Sequence, residues 1–251
     1  MNILKDFLVA LSFLTRCPVP QSVFGSGNVI FSRSFAFFPL VGILIGLLTT
    51  GFLRLCSIFF PSSISGLTTV GFLLWLTRSL HLDGFADWID GLGGGYTPER
   101  RREIMKDSRV GVFGASSIVI IVGLKALCFG TLQQYRAWEA VIIATTLGRF
   151  SMALLAARAV SSEQNRGLGA RFIEGFSNRI FAIASVWLVP LLLWNPVFFS
   201  AALAITLAEV MILRRNYLTC FETISGDLFG ATCEVVETSL LLAAVAFFGH
   251  V

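Results

Sequence analysis

The sequence predicts an all-α protein: a polytopic helical bundle in a membrane, built as one catalytic domain over residues 1–251. About seven transmembrane helices and a short N-terminal interfacial or re-entrant helix are expected. Three observations predict this. Hydrophobic residues make up 55% of the chain and charged residues only 14%, at a mean hydropathy of +0.80, which is more apolar side chain than a soluble domain buries. Several apolar runs approach the roughly 20 residues that a helix rising about 1.5 Å per residue needs to cross about 30 Å of hydrocarbon. Continuous stretches such as VGVFGASSIVIIVGLKALCFGTL lack the alternation that a membrane β-barrel requires.

At the N-terminus, Phe7 to Leu14 is apolar but too short to span, so an interfacial or re-entrant helix is expected there. A secretory signal is not: Asp6 lies in the charged region, Arg16 follows the apolar run, and no small-residue cleavage site precedes Cys17-Pro18. The candidate spans are then 35–53, 64–77, 110–132, 138–157, 180–194, 197–213 and 228–248. The second and fifth are short and fit broken or re-entrant segments. Alternating the loops places most Lys and Arg on one side, with only Arg54 and Arg136 on the other and Lys125 and Arg149 within spans. Because short cytoplasmic loops are enriched in Lys and Arg, the N-terminus and the loop after the second span are expected in the cytoplasm. The five cysteines form no CxxC pair, and the net charge of +4, with basic residues at span ends, gives no basis for nucleic-acid binding.

The loop RSLHLDGFADWIDGLGGGYTPERRREIMKDSRVGVFG, Arg78 to Gly114, holds six of the fifteen carboxylates and six of the nineteen Lys and Arg residues. Asp83, Asp87 and Asp90 are spaced i, i+4, i+7, which brings three acids to one helical face within about 40°. Such acids repel one another unless a cation sits among them, and oxygen-only ligands favour Mg²⁺, Mn²⁺ or Ca²⁺. A solvated helix face at the membrane edge is the plainer alternative, disfavoured because Phe85, Ala86, Trp88 and Ile89 make the rest of the helix apolar. Gly91, Gly93, Gly94 and Gly95 are expected to end that helix, as a turn or as a loop offering amides to a phosphate. Thr97 is a plausible N-cap with Pro98 in the first turn of a short helix. Its Arg100, Arg101 and Arg102 are accounted for by headgroup contact, whereas Lys106, Asp107 and Arg109 alternate in sign beside the next span. His81 is a candidate acid or base.

A second acidic group, Asp227, Glu234 and Glu237, enters the last span; an internal salt bridge with Arg149 or Lys125 is the alternative to a binding role. The loop SSEQNRGLGARFIEGFSNR adds Arg166 and Arg171, which suit an anionic substrate. Carboxylates for a divalent metal beside Arg and Lys at a membrane edge fit transfer of a phosphate-containing group. The signature of membrane CDP-alcohol phosphotransferases, D-G-x2-A-R-x8-G-x3-D-x3-D, does not fit, since Ala86 comes one position early and Asp87 stands where Arg belongs. A transporter would explain charges within spans, yet no internal repeat is visible and the acids gather at one face.

HLDGFADWIDGLGGG followed by EIMKDSRVGVFGA resembles the cobalamin synthase (adenosylcobinamide-GDP ribazoletransferase) family, whose patterns are close to H-L-D-G-L-A-D-x2-D-G and I-M-K-D-S-R-x-G. ALSFLTRCPVP, FFPLVGILIG, RGLGARFIEG and GDLFGATCEVVE extend the resemblance over nearly the whole chain in family order. Phe85 replaces the usual Leu, and Val112 stands where a polar residue is common. The resemblance implies an enzyme of the bacterial inner membrane, working on the cytoplasmic side, that joins α-ribazole or its 5′-phosphate to adenosylcobinamide-GDP with release of GMP. It implies Mg²⁺ as cofactor and is compatible with a homo-oligomer or a complex with other cobalamin-assembly enzymes. On this reading Asp83, Asp87 and Asp90 hold the metal, His81, Lys106, Asp107 and Arg109 are catalytic, and Gly93, Gly94, Arg166, Arg171, Asp227 and Glu234 bind substrate.

Overall fold

A computed structural model describes residues 3–24, 31–159 and 173–249, and every described element is helical. α1 (Ile3–Leu14) leads through a 3-10 segment, Phe31–Phe37, into α2 (Phe38–Phe59). α3 (Ser62–Thr77), α4 (Leu80–Gly94) and the short α5 (Pro98–Ile104) follow. After them come α6 (Val112–Tyr135), α7 (Trp138–Ala157), α8 (Asn178–Val186) and α9 (Val189–Trp194). α10 (Pro196–Cys220) and α11 (Gly226–Phe248) complete the chain.

Five segments are long and apolar enough to cross a membrane: Phe31–Phe59, Val112–Tyr135, Trp138–Ala157, Pro196–Cys220 and Gly226–Phe248. The two spans expected to be short differ from the rest in the structure as well. α3 ends after 16 residues, where Arg78 and Ser79 both adopt left-handed conformations (φ 57° and 54°) before α4 begins. The segment 178–194 divides into α8 and α9 at Trp187-Leu188, just before Pro190, which lacks an N–H to continue the ladder.

The break after α3 is held by α1. The backbone N–H of Arg16 donates to Leu76 O at 2.8 Å and its Nε to Trp75 O at 2.5 Å, so the segment after α1 binds the last carbonyls of α3. Arg78 reaches back from the break to the carbonyls of Ser12 and Thr15. The short N-terminal helix therefore docks on the end of α3.

α7 lies at the centre, with 94% of its apolar window buried, and α2 packs along it. The contact is close because Gly42 and Gly46, one turn apart, face it: a Cβ at Gly42 would lie 2.8 Å from Thr145 O, and one at Gly46 2.7 Å from Ile142 Cα. Thr145 Oγ1 donates to Gly42 O at 3.0 Å across this interface. Outer helices instead present apolar side chains outward, among them Ile58, Val119, Leu127, Leu193 and Met211, as lipid contact requires.

One end of the bundle gathers the C-termini of α4, α7 and α10 with α5 and the N-termini of α6 and α11. Arg101 Nη1 donates to Cys220 O at 3.2 Å and Arg102 Nη1 to Phe221 O at 2.6 Å, so α5 caps the end of α10. The headgroup role expected for these two arginines is replaced by this tie. At the other end, α3 meets α6 where a Cβ at Gly66 would sit 2.0 Å from Ala126 O.

Candidate active site

α4 carries the leading acids, and glycine brings it against α11. A Cβ at Gly84 would lie 2.5 Å from Asp227 O, and one at Gly230 3.1 Å from His81 Cα, so the two backbones touch at both points. This approach joins the first acidic group to the head of the second. Asp83 is exposed, Asp87 and Asp227 are half-buried, and none of the three has a cationic partner among the described residues. Burial, then the neighbouring charges of Asp83, Asp227 and Asp90, push the Asp87 carboxyl up to about 7.

Asp90 behaves differently from the acids it was grouped with. Its buried carboxylate accepts from Gly111 N at 2.7 Å and Gly114 N at 2.8 Å, at the start of α6, where it meets free N–H groups and the positive end of the helix dipole. A Cβ at Gly111 or Gly114 would fall within 2.4 Å of these oxygens, which explains the glycines of RVGVFG. Asp90→Ala is expected to lower stability by about 1–3 kcal/mol, the range for leaving buried donors without a partner, read as a fall in Tm of the detergent-solubilised protein. An unchanged Tm would show that these two bonds do not hold α6.

No three His, Cys, Asp or Glu side chains among the described residues are placed to hold a metal by themselves. The donor set nonetheless fits Mg²⁺ in its usual manner, through one or two carboxylates plus substrate phosphates with water in the remaining positions. Two of Asp83, Asp87 and the facing Asp227 would supply those carboxylates, and the part of the upward push on Asp87 that follows burial, the neighbouring charges of Asp83 and Asp227, is what a cation would relieve.

Beside them lies a cleft of about 530 Å³ lined by Asp90, Gly94, Arg100, Asp107, Arg109 and Gly111, among others. Arg109 holds Asp107 in a two-point pair, Nε to Oδ1 at 3.0 Å and Nη2 to Oδ2 at 2.7 Å, and keeps that carboxyl down at about 2. Lys106 is exposed, with no carboxylate partner among the described residues. The glycine run corrects the expected loop: Gly91 to Gly94 form the last turn of α4, and only Gly95 lies beyond it, at φ −114°. What these positions require is space, since a Cβ would meet the Phe113 ring at Gly93 and the Arg101 backbone N at Gly95, 2.6 and 2.8 Å away.

His81 is 2% exposed, and neither ring nitrogen has a hydrogen-bond partner among the described residues. Burial, reinforced by Arg149 and Lys125, pushes its imidazole down to about 3, so it is a neutral ring and a poor proton acceptor at neutral pH. The sequence makes His81 a candidate acid or base; in the structure burial and these charges hold it neutral. Glu234 also departs from a substrate role: Lys125 Nζ binds Glu234 Oε2 at 2.6 Å and Glu237 Oε1 at 2.7 Å, while Arg149 Nη1 pairs with Glu237 Oε2. The alternative of an internal ion network is what the structure contains. Arg166 and Arg171 lie outside the described residues.

The cobalamin-5-phosphate synthase family model matches residues 6–245. The chain is 36% identical over 249 residues to the adenosylcobinamide-GDP ribazoletransferase of Syntrophobacter fumaroxidans, covering 97% of this chain and 99% of that one. It is 34% identical over 253 residues to that of Geotalea daltonii (98% and 99%) and 32% identical over 250 residues to that of Vibrio cholerae (98% and 95%). No solved structure matches. With a family match over residues 6–245 and relatives covered nearly end to end, the chain belongs to the cobalamin-5-phosphate synthase family.

Proposed function

We propose that the protein joins α-ribazole, or its 5′-phosphate, to adenosylcobinamide-GDP at the cytoplasmic face of the bacterial inner membrane, releasing GMP. The observation that carries this reading is the meeting of Asp83 and Asp87 on α4 with Asp227 on α11, beside a cleft bearing Arg100 and Arg109. In the reaction the phosphorus–oxygen bond to GMP breaks, a bond to the ribazole hydroxyl forms, and the hydroxyl proton leaves. Mg²⁺, when bound, neutralises the pyrophosphate and stabilises the departing phosphate oxygen.

The protein's own residues divide the remaining work. Two of Asp83, Asp87 and Asp227 would hold the positive charge that lets two phosphates approach an acidic wall. Where Asp83 and Asp227 are the two that hold the cation, Asp87, inclined by burial first and then by its neighbours to take a proton near pH 7, is the carboxylate left to receive the one from the hydroxyl. Arg100 and the exposed face of Arg109 offer guanidinium groups to the anionic nucleotide, and Lys106 adds a mobile charge. Asp107 orients Arg109. The cytoplasmic assignment is supported by the crowding of Lys and Arg at this end of the bundle.

Purified protein in detergent, given adenosylcobinamide-GDP and α-ribazole, is expected to release GMP with Mg²⁺ and to stop when EDTA is added, recovering on excess Mg²⁺. Ion flux in liposomes without GMP release would replace this reading with a transporter.

A further inference from the structure

Away from the acid cluster, α7 and α10 leave between them a cavity of about 430 Å³ lined by Leu154, Arg158, Leu207, Val210, Met211 and Arg214. Leu207 and Met211 are 41% and 68% exposed, so the cavity opens on the outer side of two helices that are long and apolar enough to span. Leu207, Val210, Met211 and Arg214 follow one another at i, i+3, i+4 and i+7 on one face of α10, and Leu154 and Arg158 lie one turn apart at the end of α7. The cavity is therefore a groove, apolar for most of its length and cationic at one end, running about 10 Å from Leu207 to Arg214.

The cationic end is built rather than incidental. Arg158 caps the end of α7, and Arg214 is held over it, its Nε donating to Arg158 O at 2.8 Å. Neither guanidinium has a carboxylate partner among the described residues. The carbonyl end of α7 favours a cation, and one arginine would serve it. Two like charges in one groove repel each other, and an anion between them removes that repulsion.

We propose that this groove binds an anionic glycerophospholipid of the surrounding bilayer, its phosphate held by Arg158 and Arg214 and one acyl chain laid along Leu207, Val210 and Met211. Charge complementarity selects the occupant, since basic pockets between membrane helices suit anionic headgroups. A free phosphate would leave the apolar walls uncovered. A zwitterionic headgroup would bring its ammonium against two guanidiniums.

The full chain in detergent is titrated with phosphatidylglycerol and with phosphatidylcholine of the same acyl chains, and bound lipid is counted by native mass spectrometry. The wild type is expected to prefer phosphatidylglycerol by about thirtyfold, the combined attraction of two arginines for anionic lipid. Arg158→Gln/Arg214→Gln should bring the two lipids to near parity, and Leu207→Trp, which fills the groove, should weaken both alike. Arg215→Gln removes the same charge from an exposed position outside the groove and should keep the preference. A preference that survives the double variant, or that Arg215→Gln abolishes as completely, would overturn the proposal in favour of diffuse surface charge. Competition by glycerol phosphate at the concentration of the whole lipid would overturn it too, because the acyl chain would then not be bound. Failure of the wild type to retain either lipid would mean that protein, from this chain or a second copy, fills the groove. Should loss of the Arg214 bond unfold the double variant, Arg158→Gln decides, with an expected weakening of about fivefold for phosphatidylglycerol alone. Lipid bound is the readout throughout, so the result is independent of turnover.

Discussion

Asp87→Asn is expected to lower kcat/KM by about 10³, the scale for removing one electrostatic group at a reacting phosphate, while the protein still inserts and folds. The physical signature is that stability moves the other way. Asp87 has an ordinary value of 3.8 and is raised to about 7 in the folded protein, so the folded state holds this proton more tightly than the unfolded chain does. Its ionised form therefore costs folding stability, a cost that is absent below pH 3.8, grows as the pH rises towards 7 and is complete above it. In EDTA, Asp87→Asn is expected to match the wild type in Tm at acid pH and to exceed it at pH 8. With Mg²⁺ and adenosylcobinamide-GDP present the wild type should recover the difference and the variant should not. Wild-type turnover in Asp87→Asn would remove the carboxylate from the mechanism. A Tm below that of the wild type at pH 8 would show that the carboxylate is satisfied by a contact that its repulsion does not reveal.

The periodicity of α4 exposed half of this arrangement in the sequence. Spacings of four and three residues put Asp83, Asp87 and Asp90 on one face, and the family motifs drew attention to them. Spacing cannot show which carboxylate already has partners. Asp90 is occupied by the N–H groups of Gly111 and Gly114, more than twenty residues on, and its place in the acid group is taken by Asp227, from a helix nearly 140 residues away. Gly84 and Gly230 were the available signal, as small residues on the two helices that must touch, but only the packed structure shows them facing each other's backbones.

The spans were similarly legible where length decided and less so where the backbone did. Long apolar runs such as Val112–Tyr135 and Trp138–Ala157 lie where hydropathy places them. The break after α3 depends on Arg78 and Ser79 adopting left-handed conformations, held by Arg16 and by the carbonyls of Ser12 and Thr15, and no local preference of these residues announces it. Arg101 and Arg102 look like membrane anchors in sequence because any basic cluster at a span end does. Their actual partners, the last carbonyls of α10, lie some 120 residues on.

The ion network between α6, α7 and α11 should behave in the opposite way to Asp87. Lys125, Arg149, Glu234 and Glu237 are all buried and carry two charges of each sign, so the group is neutral as a whole and no member can be removed without leaving an excess charge in the bundle. Glu237 is its centre, since its two oxygens bind Lys125 and Arg149 separately and so tie three helices together. Glu237→Gln is expected to cost about 3–5 kcal/mol, the range for breaking a buried ion pair from one side. Lys125→Met should cost a similar amount by leaving two carboxylates against one guanidinium. Removing Lys125 and Glu234 together restores neutrality while leaving the Arg149–Glu237 pair in place, so Lys125→Met/Glu234→Gln should be more stable than the two single costs predict by about 0.5–3 kcal/mol. Unfolding of the detergent-solubilised protein measures all of these, and strict additivity would show that the four charges do not act as a unit. Turnover per folded molecule separates the two roles: Glu237→Gln should keep it within tenfold of the wild type, whereas Asp87→Asn loses it while remaining folded. A network whose loss abolished turnover in well-folded protein would have to deliver charge to the acids of α4. One whose loss only loosens the bundle holds α11, and with it Asp227 and Gly230, against α4.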